Sequence, residues 1–259
     1  MNVREDLILT EKRGRLFIVT INRPEAKNAF DFATSSQMNT AMDMFENDPE
    51  LSVAIITGAG GIFSAGADLK ALARGEKLSG PLLSRGGFGI MRKPPNKPII
   101  AAIEGHAVAG GLELALSCDL IVAAKGSKMG LPEAKHNLVA VGGGLFHLPK
   151  RMPYHLVMEL ALTAEMWPVE KMHLYGVVNR IAEPGESLKI AIELAECLLE
   201  NGPTALIASK EIIRQSYEWT VEEAWEKQLP IAKQAMESED RDEGLRAFAE
   251  KRKPVWTGR

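Results

Sequence analysis

Two glutamates, Glu113 and Glu133, stand at positions where a carboxylate could do chemistry. Glu113 follows Gly110 and Gly111 in an apolar stretch that reads as the beginning of a helix. A carboxylate among leucines and alanines is costly to remove from water unless it is paired or used. Glu133 follows Pro132 and, taken alone, is equally typical of a structural acid at a helix start. Together the two acids predict proton transfer in a dry pocket, with ion-paired structural acids as the alternative.

Small residues at two turns expose backbone amides suited to binding an anion. Gly110 and Gly111 begin a helix, where the first N–H groups have no partner within the helix and glycine lets a ligand approach closely. A second turn, residues 63–68, presents amides around Ala67 in the same way. A Gly-Gly pair alone is also typical of close helix packing. The two turns predict a pair of donors aimed at a negatively charged oxygen.

The elements that must hold these residues follow from hydrophobic periodicity. Short apolar runs predict strands at residues 16–21, 53–57, 99–103 and 176–181. Longer amphipathic runs predict helices at 32–47, 154–162, 188–199, 203–217, 221–235 and 241–251. Strands that alternate with helices before a helical tail predict an α/β core, residues 1–190, and a C-terminal helical region, residues 191–259.

Residues 77–98 connect the second turn to the strand before Gly110. They carry glycine, serine and proline with little periodicity. Such composition is typical of loops, so we expect a mobile surface segment over the site.

Composition excludes several classes of function. The net charge of −3 leaves no basic footprint for nucleic acid, and no apolar run approaches the roughly 20 residues of a membrane span. The two cysteines, Cys118 and Cys197, are expected to be reduced core thiols, which together with the absence of a signal pattern predicts a cytoplasmic protein. The five histidines show no metal-binding pair, so no metal site is expected. The glycine run 58–61 lacks the spacing of a dinucleotide site.

Several motifs in fixed order resemble one known family, the crotonase (enoyl-CoA hydratase/isomerase) superfamily. The residues that carry the resemblance are Asn22 to Pro24, Ser64 to Lys70, Gly105 to Leu114, Cys118 with Asp119, and Leu131 to Glu133. The C-terminal segment, from Ser238 to the final Pro254-Val255-Trp256-Thr257-Gly258-Arg259, is most similar to the carnitinyl-CoA dehydratase branch.

The resemblance implies a fold and a ligand. The fold is a spiral of β-β-α turns with a C-terminal helical region that assembles homotrimers or hexamers. The ligand is an acyl-CoA thioester whose carbonyl oxygen lies between the amides of Ala67 and Gly110, and the coenzyme A is part of the substrate, so no separate cofactor is expected. The resemblance further implies substrate or CoA contacts at Ala26, Ala65, Asp68, Leu69, and, from a neighbouring subunit, Phe248 and Lys251.

The same resemblance implies an enoyl-CoA hydratase of fatty acid metabolism, because both family glutamates are present. Glu113 is expected to orient and activate water, and Glu133 to transfer a proton at C2. The alternatives are a carnitinyl-CoA dehydratase, an enoyl-CoA isomerase, and a non-enzymatic RNA-binding or assembly relative. The acyl group is left open, since Ala140 and Val141 replace the usual Pro-Gly pair, the run 145–147 departs from the usual Thr-Gln-Arg, and Trp167 is bulky for its loop.

Overall fold

Two β-sheets form the framework of the computed structural model, which describes residues 6–78, 80 and 82–259. The strands are β1 (Ile8–Arg13), β2 (Leu16–Ile21), β3 (Val53–Gly58), β4 (Ile99–Ile103), β5 (His106–Val108), β6 (Leu120–Ala124), β7 (Lys128–Gly130), β8 (Trp167–Pro168) and β9 (Arg180–Ala182). The larger sheet has the order β1-β2-β3-β4-β6-β9 and is parallel except for β1. The smaller sheet has the order β5-β7-β8.

Ten α-helices in the described residues complete the chain. They are α1 (Phe32–Asn47), α2 (Leu69–Ala73), α3 (Gly110–Leu116), α4 (Gly144–His147), α5 (Tyr154–Thr163), α6 (Val169–Leu174), α7 (Ser187–Leu199), α8 (Pro203–Ser216), α9 (Val221–Met236) and α10 (Glu239–Glu250). The chain passes from β4 in the larger sheet to β5 in the smaller sheet and then into α3. This is one turn of the predicted β-β-α spiral, and the α/β fold class is confirmed.

Successive side chains of a strand point to opposite sides of the sheet. In the larger sheet both sides are covered, so both sets of side chains are buried. One face packs against α1 and the site, and it includes Phe17, Val19, Ile56, Ala101 and Ile103. The other face, which includes Ile18, Ile55 and Ile100, packs against Ala191 and Ala195 of α7. Burial on both sides explains why these strands read as continuous apolar runs rather than alternating ones.

Most predicted elements lie where the sequence places them, and α1 spans the predicted residues. Its first turn is capped by Asp31, whose carboxylate accepts a hydrogen bond of 2.9 Å from the amide of Thr34. The strand predicted at 176–181 is wrong in its first half, because Gly176 has a φ of 81° and a turn delays the strand until Arg180. The division at residue 190 stays a prediction; it falls inside α7, which packs on the central sheet.

The two cysteines are both free thiols, as expected, but only one lies in the core. Cys118 is buried and Cys197 is exposed, so the expectation of two core thiols is wrong for Cys197. That residue lies on α7, whose apolar face is directed to the sheet through other side chains. A search of the described helices for a stretch able to cross a membrane finds none.

A partly buried lysine joins the C-terminal helices to the core. Lys210 on α8 donates from Nζ to the carbonyl oxygens of Pro95 (2.8 Å) and Lys97 (2.9 Å) and to Oδ2 of Asp119 (2.6 Å). The same Asp119 oxygen accepts a 2.8 Å hydrogen bond from the amide of Ile99. Asp119 is therefore structural, and Lys210 fixes α8 against the beginning of β4.

Lys210→Met is expected to lower the free energy of unfolding by about 2–3 kcal/mol, because two carbonyls and a carboxylate lose a charged donor. Urea denaturation followed by circular dichroism measures the change. Lys189→Met serves as the control, since Lys189 forms an exposed ion pair with Glu186 and its loss should leave the transition unchanged. Equal effects of the two substitutions would contradict the structural role of Lys210.

Candidate active site

Glu113 lies in the first turn of α3 with only 4% of its surface exposed. Its Oε1 accepts hydrogen bonds from the amides of Gly142 (2.8 Å) and Gly144 (3.0 Å). Burial raises the pKa of the carboxyl, while the amides of Gly144, Gly142 and Gly143 oppose that shift. The carboxyl group is thus held in a fixed orientation by backbone donors rather than by a basic side chain.

The turn at residues 142–144 fits Glu113 because it has no side chains. A Cβ atom at Gly142 would lie 2.6 Å from Oε2 of Glu113, and one at Gly144 would lie 3.2 Å from its Cγ. Real Cβ atoms do not approach heavy atoms at the first of these distances, so glycine is required for the amide of residue 142 to reach the carboxylate.

Glu133 lies in a short 3₁₀ turn, Pro132–His136, that follows β7. Its Oε2 is buried, and no hydrogen-bond partner for it exists among the described residues. Burial is the main cause that raises the pKa of Glu133 to about 7, and the nearby charge of Glu113 raises it further. The charge of Glu113 therefore acts on Glu133, and Glu133 holds a proton more readily than an ordinary glutamate.

The amides of Ala67 and Gly110 lie on two segments that pack against each other. Phe30 donates to the carbonyl of Gly66 and accepts from the amide of Asp68, both at 2.8 Å. In such a parallel bridge the amide of the intervening Ala67 points away from Phe30. Gly66 has a φ of 89°, and a Cβ atom there would lie 2.9 Å from the amide nitrogen of Gly110. Within the described chain, the Ala67 and Gly110 amides have no acceptor, so both remain available to a ligand oxygen.

Ala109 takes an unusual backbone conformation just before this amide. Its φ of 53° and ψ of −123° lie in a region that L-residues rarely adopt. Its own amide donates to the carbonyl of Gly130 at 2.9 Å, which links α3 to β7. Strain of this kind persists where surrounding contacts over-determine it, and here it aims the amide of Gly110.

The segment predicted to be a mobile surface loop is instead partly core, which corrects that expectation. Residues 79 and 81 lie outside the described part, but Leu83, Phe88, Ile90 and Met91 are buried. The Phe88 ring lies 2.6 Å from the position that a Cβ atom at Gly110 would take. Sequence reasoning missed Phe88, although an aromatic residue within a glycine run was a signal.

The residues expected along the CoA path lie next to the Ala67 amide. The amide of Ala65 donates to the carbonyl of Lys27 at 3.0 Å, which places it beside the turn that contains Ala26. Leu69 is 51% exposed at the beginning of α2. These positions are compatible with a ligand path along the surface, and their contact with CoA stays a prediction.

Asp68 has structural partners of its own. Its Oδ1 accepts hydrogen bonds from the amides of Lys70 (3.0 Å) and Ala71 (3.1 Å), and its Oδ2 pairs with Arg23 at 3.2 Å. Burial acts to raise the pKa of Asp68, but the Ala71 amide and the Arg23 guanidinium lower it overall. Asp68 therefore orients the turn that carries Ala67.

Phe248 and Lys251 lie at the end of α10, outside the group formed by the two glutamates and the two amides. The Phe248 side chain is 85% exposed, and Lys251 ends the helix in a left-handed conformation with a φ of 55°. Their contribution to CoA binding from a neighbouring subunit stays a prediction. A search of the described residues finds no cluster of metal-binding side chains.

The described residues thus supply two backbone amides without acceptors, a buried glutamate, and a second, partly buried glutamate whose pKa is raised. Comparison with known proteins identifies the family. The sequence model of the family described as enoyl-CoA hydratase/isomerase matches residues 11–259. The chain therefore belongs to the enoyl-CoA hydratase/isomerase family, the crotonase superfamily that its motifs resemble.

Individual relatives cover nearly the whole chain. A carnitinyl-CoA dehydratase of Salmonella enteritidis is 44% identical over 98% of this chain and 99% of its own length. A crystal structure of an enoyl-CoA hydratase from Mycobacterium tuberculosis superposes with a TM-score of 0.95, at 51% identity, and covers 98% of this chain and all of the other (100%). A crystal structure of a carnitinyl-CoA hydratase from Mycobacterium avium superposes with a TM-score of 0.78 at 38% identity, and the match covers 98% of this chain and 100% of the other.

The raised pKa of Glu133 predicts a specific dependence of stability on pH. A carboxyl whose pKa rises from 4.5 to about 7 on folding stabilises the folded state at low pH, and this contribution is lost as pH rises through 7. Glu133→Gln has no such titration. After allowance for partial exposure, the stability of the variant relative to the parent should rise by about 2 kcal/mol between pH 5 and pH 8.

Urea denaturation at four pH values in that range measures the difference. Glu193→Gln, an exposed residue on α7, is the control and should follow the parent at every pH. Parallel profiles for Glu133→Gln and the parent would show that the Glu133 pKa is not raised.

Proposed function

We propose that this protein is an enoyl-CoA hydratase that adds water reversibly across the C2=C3 bond of a 2-enoyl-CoA thioester. The proposal is supported by the proximity of Glu133 to Glu113, whose charge raises the Glu133 pKa, and by the backbone amides of Ala67 and Gly110, which have no acceptor in the described chain. Family membership supports an acyl-CoA substrate and hydro-lyase chemistry.

The amides of Ala67 and Gly110 are proposed to form the oxyanion hole. When a nucleophile attacks C3, electron density moves through C2 to the thioester oxygen and an enolate-like charge develops. Two fixed donors aimed at that oxygen each stabilise the transition state by about 3 kcal/mol. The unusual conformation of Ala109 supports this role, because it directs the Gly110 amide before any substrate binds.

The two glutamates divide the proton transfers. Glu113 accepts the proton of the attacking water, whose oxygen bonds to C3, and Glu133 delivers a proton to C2. Glu113 is oriented by two amides and keeps an oxygen for water. Glu133 has a pKa of about 7, so it exchanges its proton readily at neutral pH. Exchange with solvent then restores the two protonation states.

Two enzymatic alternatives use the same site. Dehydration of a carnitinyl-type 3-hydroxyacyl-CoA is favoured by the names of close relatives and is the reverse direction of the same chemistry. An enoyl-CoA isomerase needs only one acid to move a proton, so the second buried glutamate favours hydration. The RNA-binding alternative is disfavoured by the net charge of −3, and salt-dependent RNA binding would be required to support it.

Replacement of each glutamate by glutamine distinguishes a hydratase from an isomerase. Glu113→Gln is expected to lower the rate of crotonyl-CoA hydration by about 10²–10⁴-fold, because the water loses its base. The variant should still exchange the C2 protons of butyryl-CoA with deuterated solvent through Glu133. Glu133→Gln should lose both reactions.

Loss of absorbance by the conjugated thioester and mass spectrometry measure the two rates. Glu193→Gln is again the matched control. If Glu113→Gln retained near-parental hydration, the role of Glu113 as the base would be contradicted; a parent that exchanged the C2 protons but did not hydrate crotonyl-CoA would contradict the hydratase assignment and favour an isomerase.

A homotrimer or a hexamer is part of the proposal. Helix α9 has no buried residue, and one of its faces carries exposed apolar side chains spaced by four residues, Val221, Trp225 and Leu229. Such a stripe on a helix is typical of a surface that packs on another element. A neighbouring subunit would also bring Phe248 and Lys251 near a CoA molecule, as the resemblance implies. The cytoplasmic location and a role in fatty acid metabolism stay predictions.

Native mass spectrometry tests the assembly. The parent should show three or six times the mass of one chain, and Trp225→Glu should shift the population toward monomer because it places a charge in the apolar stripe. Glu226→Lys, on a different side of α9, is the control and should keep the parental mass. A monomeric parent would contradict the proposal.

A further inference from the structure

An aromatic residue forms one wall beside the proposed oxyanion hole. The ring of Phe88 stacks on that of Phe30, with centroids 4.3 Å apart and planes at 2°. Two atoms of the Phe88 ring, Cζ and Cε2, lie 2.6 and 2.8 Å from the Cβ position of Gly110. A ligand group that binds the Gly110 amide therefore lies close to the Phe88 ring.

The wall is fixed to helix α1. Arg85 is 5% exposed, and it donates from Nε to Asp43 at 2.6 Å and from Nη1 to the carbonyl of Lys93 at 3.0 Å. Its amide donates to Asn39 at 3.0 Å. A Cβ atom at Gly89 would collide with the backbone of Asn39, so the segment lies directly on the helix. These contacts fix the position of Phe88 relative to α1.

Met91 extends the wall to the proposed base. A Cβ atom at Gly142 would lie 2.7 Å from Sδ of Met91 and 2.6 Å from Oε2 of Glu113. The thioether and the carboxylate are thus neighbours across one glycine. If Glu113 directs water to C3, the substituent on C3 lies close to Met91.

Three further uncharged side chains lie at or next to the glycine turn that holds Glu113. Leu131 and Glu113 both border Gly144, and Val141, which precedes Gly142, is 86% exposed. His147 follows the glycine turn, and burial, with the charges of Arg151 and Lys150, lowers its pKa to about 4, so it is neutral at pH 7.

Several ionic and aromatic side chains of the described structure already have partners. Arg85 and Asp43 are paired with each other. One face of Phe88 is covered by Phe30, and the Trp167 ring is buried and covered by Lys171, whose Nζ lies 3.2 Å from its centroid. Quaternary ammonium groups are usually recognised by open aromatic faces or carboxylates.

We propose that Phe88 and Met91 are specificity-determining residues that admit an uncharged apolar acyl group and reject the quaternary ammonium group of a carnitinyl-type substrate. The inference rests on the proposed hydratase function. The physical reason is that a cation placed against the ring and the thioether loses water without gaining a counter-charge, unless it pairs with Glu113 and so removes the base. The relatives named for carnitinyl-CoA would then differ from this chain in acyl preference.

Two substrates of the same shape test the inference. 4-Trimethylammonio-2-butenoyl-CoA carries the cation, and 5,5-dimethyl-2-hexenoyl-CoA replaces its nitrogen with carbon. Crotonyl-CoA reports the basal reaction. We expect kcat/KM for hydration of the neutral isostere to exceed that of the cationic substrate by about 100-fold or more.

Two variants test whether Phe88 and Met91 set the preference for the neutral acyl group. Met91→Glu supplies a counter-charge and should raise the cationic-to-neutral ratio about tenfold, whereas Met44→Glu, at a half-exposed position on α1, should not. Phe88→Leu should change the ratio of the neutral isostere to crotonyl-CoA about tenfold, whereas the buried Phe17→Leu should change stability only. The Phe88 pair keeps the test decisive if Met91→Glu does not fold.

Each result decides between the two proposals. If the cationic substrate is hydrated within tenfold of its neutral isostere while crotonyl-CoA is also hydrated, the specificity inference is overturned and the hydratase proposal stands. If none of the three substrates is hydrated, the hydratase proposal and the inference that rests on it both fail. Unchanged ratios in Phe88→Leu and Met91→Glu would show that other residues set the preference.

Discussion

The burial of the Glu113 carboxylate is the constraint on which the site depends. An acid that is 4% exposed in an apolar helix is tolerated because Gly142 and Gly144 donate to the same oxygen. These two hydrogen bonds require a turn without side chains and close packing of α4 on α3. They also require an orientation of the Glu113 side chain that leaves its second oxygen free. The turn after residue 140 is therefore as much part of the site as the glutamate itself.

The positions of the Ala67 and Gly110 amides, the proposed oxyanion donors, likewise depend on residues with small or no side chains. Short parallel bridges, Phe30 with Ala67 and Ser64 with Ala107, fix two otherwise irregular segments against each other. Gly66 permits the approach, and the strained Ala109 turns the next amide into the pocket. Because backbone rather than side chains supplies the donors, their positions are set by the fold and change little with local side-chain motion.

Sequence patterns predicted the parts of the fold that are long and periodic, such as α1 and the buried strands β2, β3 and β4. They did not predict the two-residue and three-residue strands of the smaller sheet, which are too short to show a period. Residues 83–91 were misjudged for another reason. Glycine and proline suggested a loop, while the order comes from contacts distant in sequence, the Arg85–Asp43 ion pair and the Phe88–Phe30 stack.

The candidate site was likewise predicted only in part from the sequence. Family motifs identified Glu113 and Glu133, but the sequence does not show which of the two binds a proton more tightly. The ranking follows from their surroundings: one Glu113 oxygen receives amide hydrogen bonds that favour its charge, whereas Glu133 has a buried oxygen without a partner in the described structure. An acid that accepts two amide hydrogen bonds is better suited to act as a base toward water, and an acid with a buried oxygen that lacks a donor is better suited to carry the proton. The division of roles that we propose is therefore set by backbone placement, which the two residue types alone do not determine.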